Sequence, residues 1–294
     1  MKKVILIVLL IFIINTASAI FNWPIENPVF TSHFGESRYD HWHNGIDITA
    51  GTRFELKSPA NGEVIFYNDA SDTPMPDNFG SGNFVVIEHE NKQRTFHCHL
   101  KTGTITKNKF KLTSEDIFAH IGNSGRSSGP HLHMSLIASK TNSILNPIDH
   151  FPRVEDKKKP VIQKILLKGP MSDAVNILKV KKIRRKSYYR VIVTAMDHRE
   201  GPRYLRAPVS ARSIELYIDG KLIKKMEFNR ISLKNNRYCI NGDSDGTFSR
   251  TYAGRPYFID LAGFVISKSK HTFKVIVKDN GGNTTKKSVT ITFY

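Results

Sequence analysis

The chain predicts a mainly β protein, with an antiparallel β-sheet domain over residues 20–154 followed by an immunoglobulin-like β-sandwich over 155–294. Three observations point there. Short runs rich in β-branched and aromatic residues recur along the whole chain. Long stretches with helical periodicity are absent, and Gly, Pro, Asn and Asp punctuate the runs at turn-like intervals. At 294 residues the chain also exceeds the usual span of one core, so two domains are expected.

The N-terminus is a separate case. Lys2-Lys3, an apolar run from Val4 to Ile14 and the small-residue stretch Asn15-Thr16-Ala17-Ser18-Ala19 follow the plan of a secretory signal peptide. The apolar run is too short to span a bilayer comfortably. Residues 1–19 are therefore expected to be removed, leaving a mature chain that starts near Ile20 and is exported to the periplasm or the cell exterior. No later segment reads as a transmembrane span.

From Trp23 to Phe151 the text reads as strands, for example Gly62 to Tyr67 and Asn83 to His89. Asn68 to Gly82, with Asp72-Thr-Pro-Met-Pro-Asp77 inside it, reads as a polar loop able to flank a cleft. The boundary falls near Pro152–Pro160, where Glu155-Asp-Lys-Lys-Lys-Pro160 resembles a charged linker. Beyond it, Tyr188 to Thr194 is a strand candidate. Ser213 to Ile218 and Lys221 to Phe228 flank Asp219-Gly220, a hairpin turn signal. Thr272 to Lys278 and Ser288 to Phe293 bracket Asp279-Asn-Gly-Gly-Asn283. The basic run from Lys179 to Arg190 alternates poorly and reads as a surface strand.

Charge is unevenly placed. Residues 1–154 hold 14 Lys+Arg against 14 Asp+Glu, and residues 155–294 hold 30 against 12, so the second half carries the whole excess of +18. For an exported protein this points to anionic envelope polymers as a partner of the basic C-terminal domain, beside two other readings, general solubility and a structural role in covering or orienting the first domain. Specific nucleic-acid binding is not expected, because no recognition motif is present. The two cysteines, Cys98 and Cys239, make no disulfide framework, and Cys98 reads as a small core residue.

The chemistry lies in histidines. In Gly129-Pro-His131-Leu-His133 two imidazoles separated by one residue share a face if the backbone is extended. Upstream stand His43-Asn-Gly-Ile-Asp47 and His97-Cys-His99-Leu100. A catalytic zinc site takes three protein ligands and leaves one position open. His43 and Asp47 sit four apart around Gly45, and His133 would complete a two-His, one-carboxylate set, with His99 and His131 lining the open side. His89-Glu-Asn-Lys-Gln93 begins like H-E-x-x-H but ends in Gln, so the helical zincin arrangement is not available.

The set of motifs resembles the lysostaphin/LytM-type zinc metallopeptidases, which cut peptide cross-links of bacterial peptidoglycan. The resemblance rests on the H-x-x-x-D and H-x-H words above, on His97-Cys-His99-Leu100, and on lesser words in the same order. These are Trp23-Pro24, Ser32-His-Phe-Gly-Glu-Ser-Arg38, Gly80-Ser-Gly-Asn83, Ile121 to Gly129, and Asn146-Pro147. It spans about 23–150 and implies a LytM-type peptidase domain, one Zn2+ held by His43, Asp47 and His133, His99 and His131 as the catalytic pair, and peptidoglycan peptide as substrate. His97 stands where Tyr is common, which leaves open whether it joins the site or packs beside it. His33, His41, His120 and His150 have no assigned role. Two other readings remain: a non-catalytic envelope-binding or amidase-activating module of the same fold, and a peptidase of the same chemistry acting on exposed Gly-rich protein segments.

Overall fold

The computed structural model describes residues 21–49, 54–72, 80–198, 208–241, 243, 246–253 and 257–294. The expected signal peptide and the middle of the Pro-containing loop lie outside the described residues.

The chain is nearly all β, as the sequence predicts. Its largest sheet has ten strands, with Leu132–Ala138 at the centre between Gln93–Leu100 on one side and Ile46–Thr49 and Ser143–Leu145 on the other. Asn83–His89 and Gly62–Asn68 continue it outward. The alternation of buried and half-buried residues along Asn83–His89 is that of a strand with one face on a core. Ile46, Ile48, Val85, Ile87, Leu132, Met134 and Leu136 form that core.

Two five-stranded sheets build the second unit. One is centred on Tyr189–His198, the other on Lys270–Lys278. They pack face to face: Phe264 of the first sheet lies edge-on to Phe273 of the second, with ring centroids 5.2 Å apart. Asp219-Gly220 forms the expected hairpin turn, with φ of 52° and 84° at its two residues. The run from Lys179 to Arg190 departs from expectation. Only Lys182–Ile183 is a strand before Tyr189; Ile183 is the one fully buried side chain between 179 and 188, and Val180 packs on the core only in part.

One hairpin crosses between the units. Arg230–Lys234 and Arg237–Ile240, from the second half of the sequence, pair onto Ser143–Leu145 and extend the first sheet. The linker near residue 155 is therefore a boundary in sequence but not in hydrogen bonding.

His97 lies in this core and not in a cleft. It is 0% exposed, its ring centroid is 4.8 Å from that of Phe118, and neither ring nitrogen has a hydrogen-bond partner. Burial, reinforced by nearby His89, holds its pKa down to about 3. Between pH 6.5 and pH 3 the unfolded chain binds a proton that the folded chain refuses, so stability falls as pH drops, by up to about 1.4 kcal/mol per pH unit. His97→Phe removes this dependence and two orphaned nitrogens, so its urea unfolding free energy should fall less steeply between pH 6.5 and 4 than that of wild type. Equal slopes for the two proteins would refute the account.

Candidate metal centre

Asp47 and His133 are cross-strand partners in the pairing of Ile46–Thr49 with Leu132–Ala138, so their side chains leave the sheet together. His43 arrives from the turn just before the first of these strands. Gly45 is needed there for space: a Cβ would stand 2.4 Å from the Met134 carbonyl oxygen and 2.9 Å from the His133 ring.

Three atoms meet as a nearly equilateral triangle. His43 Nε2 is 3.0 Å from Asp47 Oδ1 and 3.0 Å from His133 Nδ1, and the last two are 3.0 Å apart. The tautomer of His43 is set from behind, because its Nδ1 is 2.8 Å from the His33 carbonyl oxygen and must donate to it. That leaves Nε2 as a bare lone pair facing a carboxylate oxygen. The donor set fits a cation: two imidazole nitrogens and one carboxylate oxygen is a zinc-type combination, and a tetrahedral zinc with bonds of roughly 2.0–2.1 Å needs ligands somewhat over 3 Å apart.

His99 and His131 border the triangle. Their ring centroids are 4.8 Å apart, and His99 lies 6.1 Å from His133. His131 Nε2 is 3.7 Å from Asp47 Oδ1. Each is anchored through Nδ1, which donates to the Ser124 carbonyl from His99 and to the Gly129 carbonyl from His131, at 2.8 Å in both cases. Both rings therefore carry their open lone pair on Nε2. Burial, the largest influence on His99, lowers its pKa and favours the neutral ring.

The backbone at His99 is unusual. Its φ is +62°, and its N–H donates to the Ser81 carbonyl, not to the neighbouring strand. Simple alternation would put His97 and His99 on one face. The left-handed residue breaks it, sending His97 into the core and His99 to the metal side.

Several residues not singled out by the sequence reading support this arrangement. Arg38 Nη2 donates to Asp47 Oδ2 at 2.7 Å and to Ser32 Oγ at 2.8 Å. Although burial, the largest single influence, pushes the Asp47 carboxyl up, His43 and His133 together hold it well below the usual range. Buried Glu36 accepts from the Ser32 hydroxyl, from His33 N–H at 2.8 Å and from Ser210 N–H at 3.0 Å. Tyr252 donates to the Gly35 carbonyl at 2.6 Å. Ser210 and Tyr252 belong to the second half of the chain, so both units brace the loop that carries His43. Ser32, Glu36 and Arg38 stood in a recognisable word; no sequence signal marked Ser210 or Tyr252.

Of the remaining histidines, His33 is buried behind His43, and His41 is exposed beside Asp40. Cys98 and Cys239 are both unpaired and buried, and burial pushes the Cys98 thiol up to about 12.

Part of the chain is similar in sequence to known proteins. Residues 41–147 match peptidase family M23. The matched segment contains His43, Asp47, His99, His131 and His133, and the resemblance to lysostaphin/LytM-type enzymes holds over it. The chain is 30% identical over 91 residues to the DD-carboxypeptidase/endopeptidase Mpg of Neisseria meningitidis, covering 31% of this chain and 19% of that protein. It is 32% identical over 95 residues to the peptidoglycan DD-endopeptidase ShyA of Vibrio cholerae, covering 32% and 20%. The matched part thus spans about a fifth of the length of these relatives. A solved zinc-containing peptidase from Vibrio cholerae shares 28% identity over 40% of this chain and 37% of that one, with a TM-score of 0.33.

Proposed function

We propose that the protein is an exported zinc endopeptidase that hydrolyses peptide cross-links of peptidoglycan. The observation that carries this reading is the triangle of His43 Nε2, Asp47 Oδ1 and His133 Nδ1 with two carbonyl-anchored imidazoles beside it. A zinc ion on those three ligands would polarise the scissile carbonyl and acidify water to a pKa of roughly 7.

The protein's own groups do the rest. Neutral His99 or His131 accepts the water proton at Nε2, because Nδ1 of each is already committed as a donor. The resulting imidazolium donates to the developing oxyanion or returns the proton to the leaving amine. Anchoring on the Ser124 and Gly129 carbonyls holds both rings in place before substrate arrives. Mpg and ShyA, by their names, act on DD-peptide bonds, which supports a peptidoglycan peptide as substrate. The signal-peptide pattern of residues 1–19 supports export to the compartment where that polymer lies. The basic second half would hold the enzyme on anionic envelope polymer.

Sacculus digestion tests both parts. Mature protein should clear isolated sacculi, stop with chelator and resume with added zinc. Its binding to sacculi should weaken as salt rises. Undigested sacculi with zinc-loaded protein would reject the peptidase reading, and salt-insensitive binding would reject the polymer contact.

A further inference from the structure

A second cluster of ligating groups is drawn from three separate parts of the chain. Asp156 is in the linker, Asp197 near the end of Tyr189–His198, and Asp279 just after Lys270–Lys278. One carboxylate oxygen from each lies within 4.8 Å of the others. Asp197 and Asp279 are buried, at 2% and 0% exposure, while Asp156 is half-buried.

Among the described residues, backbone amides serve one oxygen of each group. Asp156 Oδ1 accepts from Lys158 N–H at 3.0 Å, Asp197 Oδ1 from His198 N–H at 2.8 Å, and Asp279 Oδ1 from Asn283 N–H at 2.7 Å. Asp279 Oδ2 is buried with no hydrogen-bond partner among the described residues. A fully buried carboxylate oxygen without a donor is costly, and a neighbouring carboxylate makes it more so.

The place is also reachable. All three aspartates line a cavity of about 560 Å³ between the two units, which also takes in Trp23, Phe30 and Arg212. Such a space holds the several waters that a hard cation keeps when protein supplies only part of its shell. The linker is already gripped at this point. Asn283 Nδ2 donates to the carbonyls of Asp156 and Lys158 at 3.0 and 2.9 Å, and Gly281 packs so closely on Asp156 that a Cβ would stand 2.6 Å from its side chain.

We propose that Asp156, Asp197 and Asp279 bind a divalent cation of the calcium class, which fastens the linker to the sandwich. The all-oxygen donor set selects a hard ion and sets this site apart from the imidazole-rich centre. The ion answers the orphaned Asp279 oxygen and the excess charge together. It also sits next to the first centre's supports: Asn280, adjacent to Asp279, lies 2.9 Å through Nδ2 from His33 Nδ1, and His33 carries the carbonyl that orients His43.

Calcium titration of the zinc-loaded mature chain tests this by calorimetry and thermal unfolding. The expected result is one calcium per chain, with Kd on the order of 10⁻⁴ M as in extracellular modules, and a higher Tm. Asp279→Asn keeps the acceptor for Asn283 but removes a charge, and Asp156→Asn does so at a half-exposed position. Each should weaken calcium binding by at least about tenfold while zinc content stays the same. His133→Ala should bind calcium like wild type. If Asp279→Asn does not fold, Asp156→Asn decides. The site is overturned if wild type shows neither heat nor a Tm shift with millimolar calcium, if folded Asp156→Asn binds as wild type does, or if His133→Ala abolishes the binding.

Discussion

Replacing His133 with alanine is expected to remove zinc and peptidase activity together. His133 Nδ1 is one corner of the 3.0 Å triangle, and its removal leaves only His43 and Asp47. Two ligands fall below the three that a catalytic zinc site uses, so sacculus digestion should drop by at least about 10³-fold. The fold should survive, because the ring stands on the half-buried metal side of its strand while Leu132 and Met134 carry the core contacts. Metal analysis after dialysis and circular dichroism read the two halves of this statement. Stoichiometric zinc with wild-type digestion would remove His133 from the ligand set.

His131→Ala should separate what His133→Ala joins. His131 Nε2 approaches Asp47 Oδ1 to 3.7 Å but is not a corner of the triangle, and its Nδ1 is spent on the Gly129 carbonyl. Zinc content should therefore stay near one per chain while turnover falls by roughly 10²–10⁴-fold, the span of a lost general acid or base. His99→Ala should behave in the same way, through the ring held on Ser124. The informative quantity is the ratio of activity to bound zinc, which collapses for His131 and His99 but is undefined for His133, where both vanish. Loss of zinc from His131→Ala would make it a ligand and require a different division of labour.

The main lines of the site were legible because they are local. H-x-H on extended backbone places His131 and His133 on one side by geometry alone; His131 bridges to Gly122, and the strand Leu132–Ala138 begins at the next residue. Gly45 within His43-Asn-Gly-Ile-Asp47 signalled a close backbone approach, and the His133 ring now occupies the space its missing side chain leaves. Strand and turn signals such as Asn83–His89 and Asp219-Gly220 were equally local, and they hold.

Other features depend on partners distant in sequence. Nothing in His97-Cys-His99 tells which imidazole faces the candidate metal centre, since alternation treats the two alike. The choice is made by the left-handed backbone at His99, stabilised by the Ser81 carbonyl from another part of the chain. The hairpin Arg230–Ile240 could have closed the sandwich; it pairs instead with Ser143–Leu145, whose edge was open to it. Glu36 gains its third donor from Ser210, and the three aspartates of the second cluster meet only because the linker, a strand end and a turn are folded together. Composition and strand chemistry, then, were enough for the β class and for the identity of the groups that can hold a metal, because spacing along one strand is a local property. Which face each group takes, and what braces it from behind, was decided by long-range pairing, because a hydrogen bond across 174 residues leaves no periodic trace in the sequence.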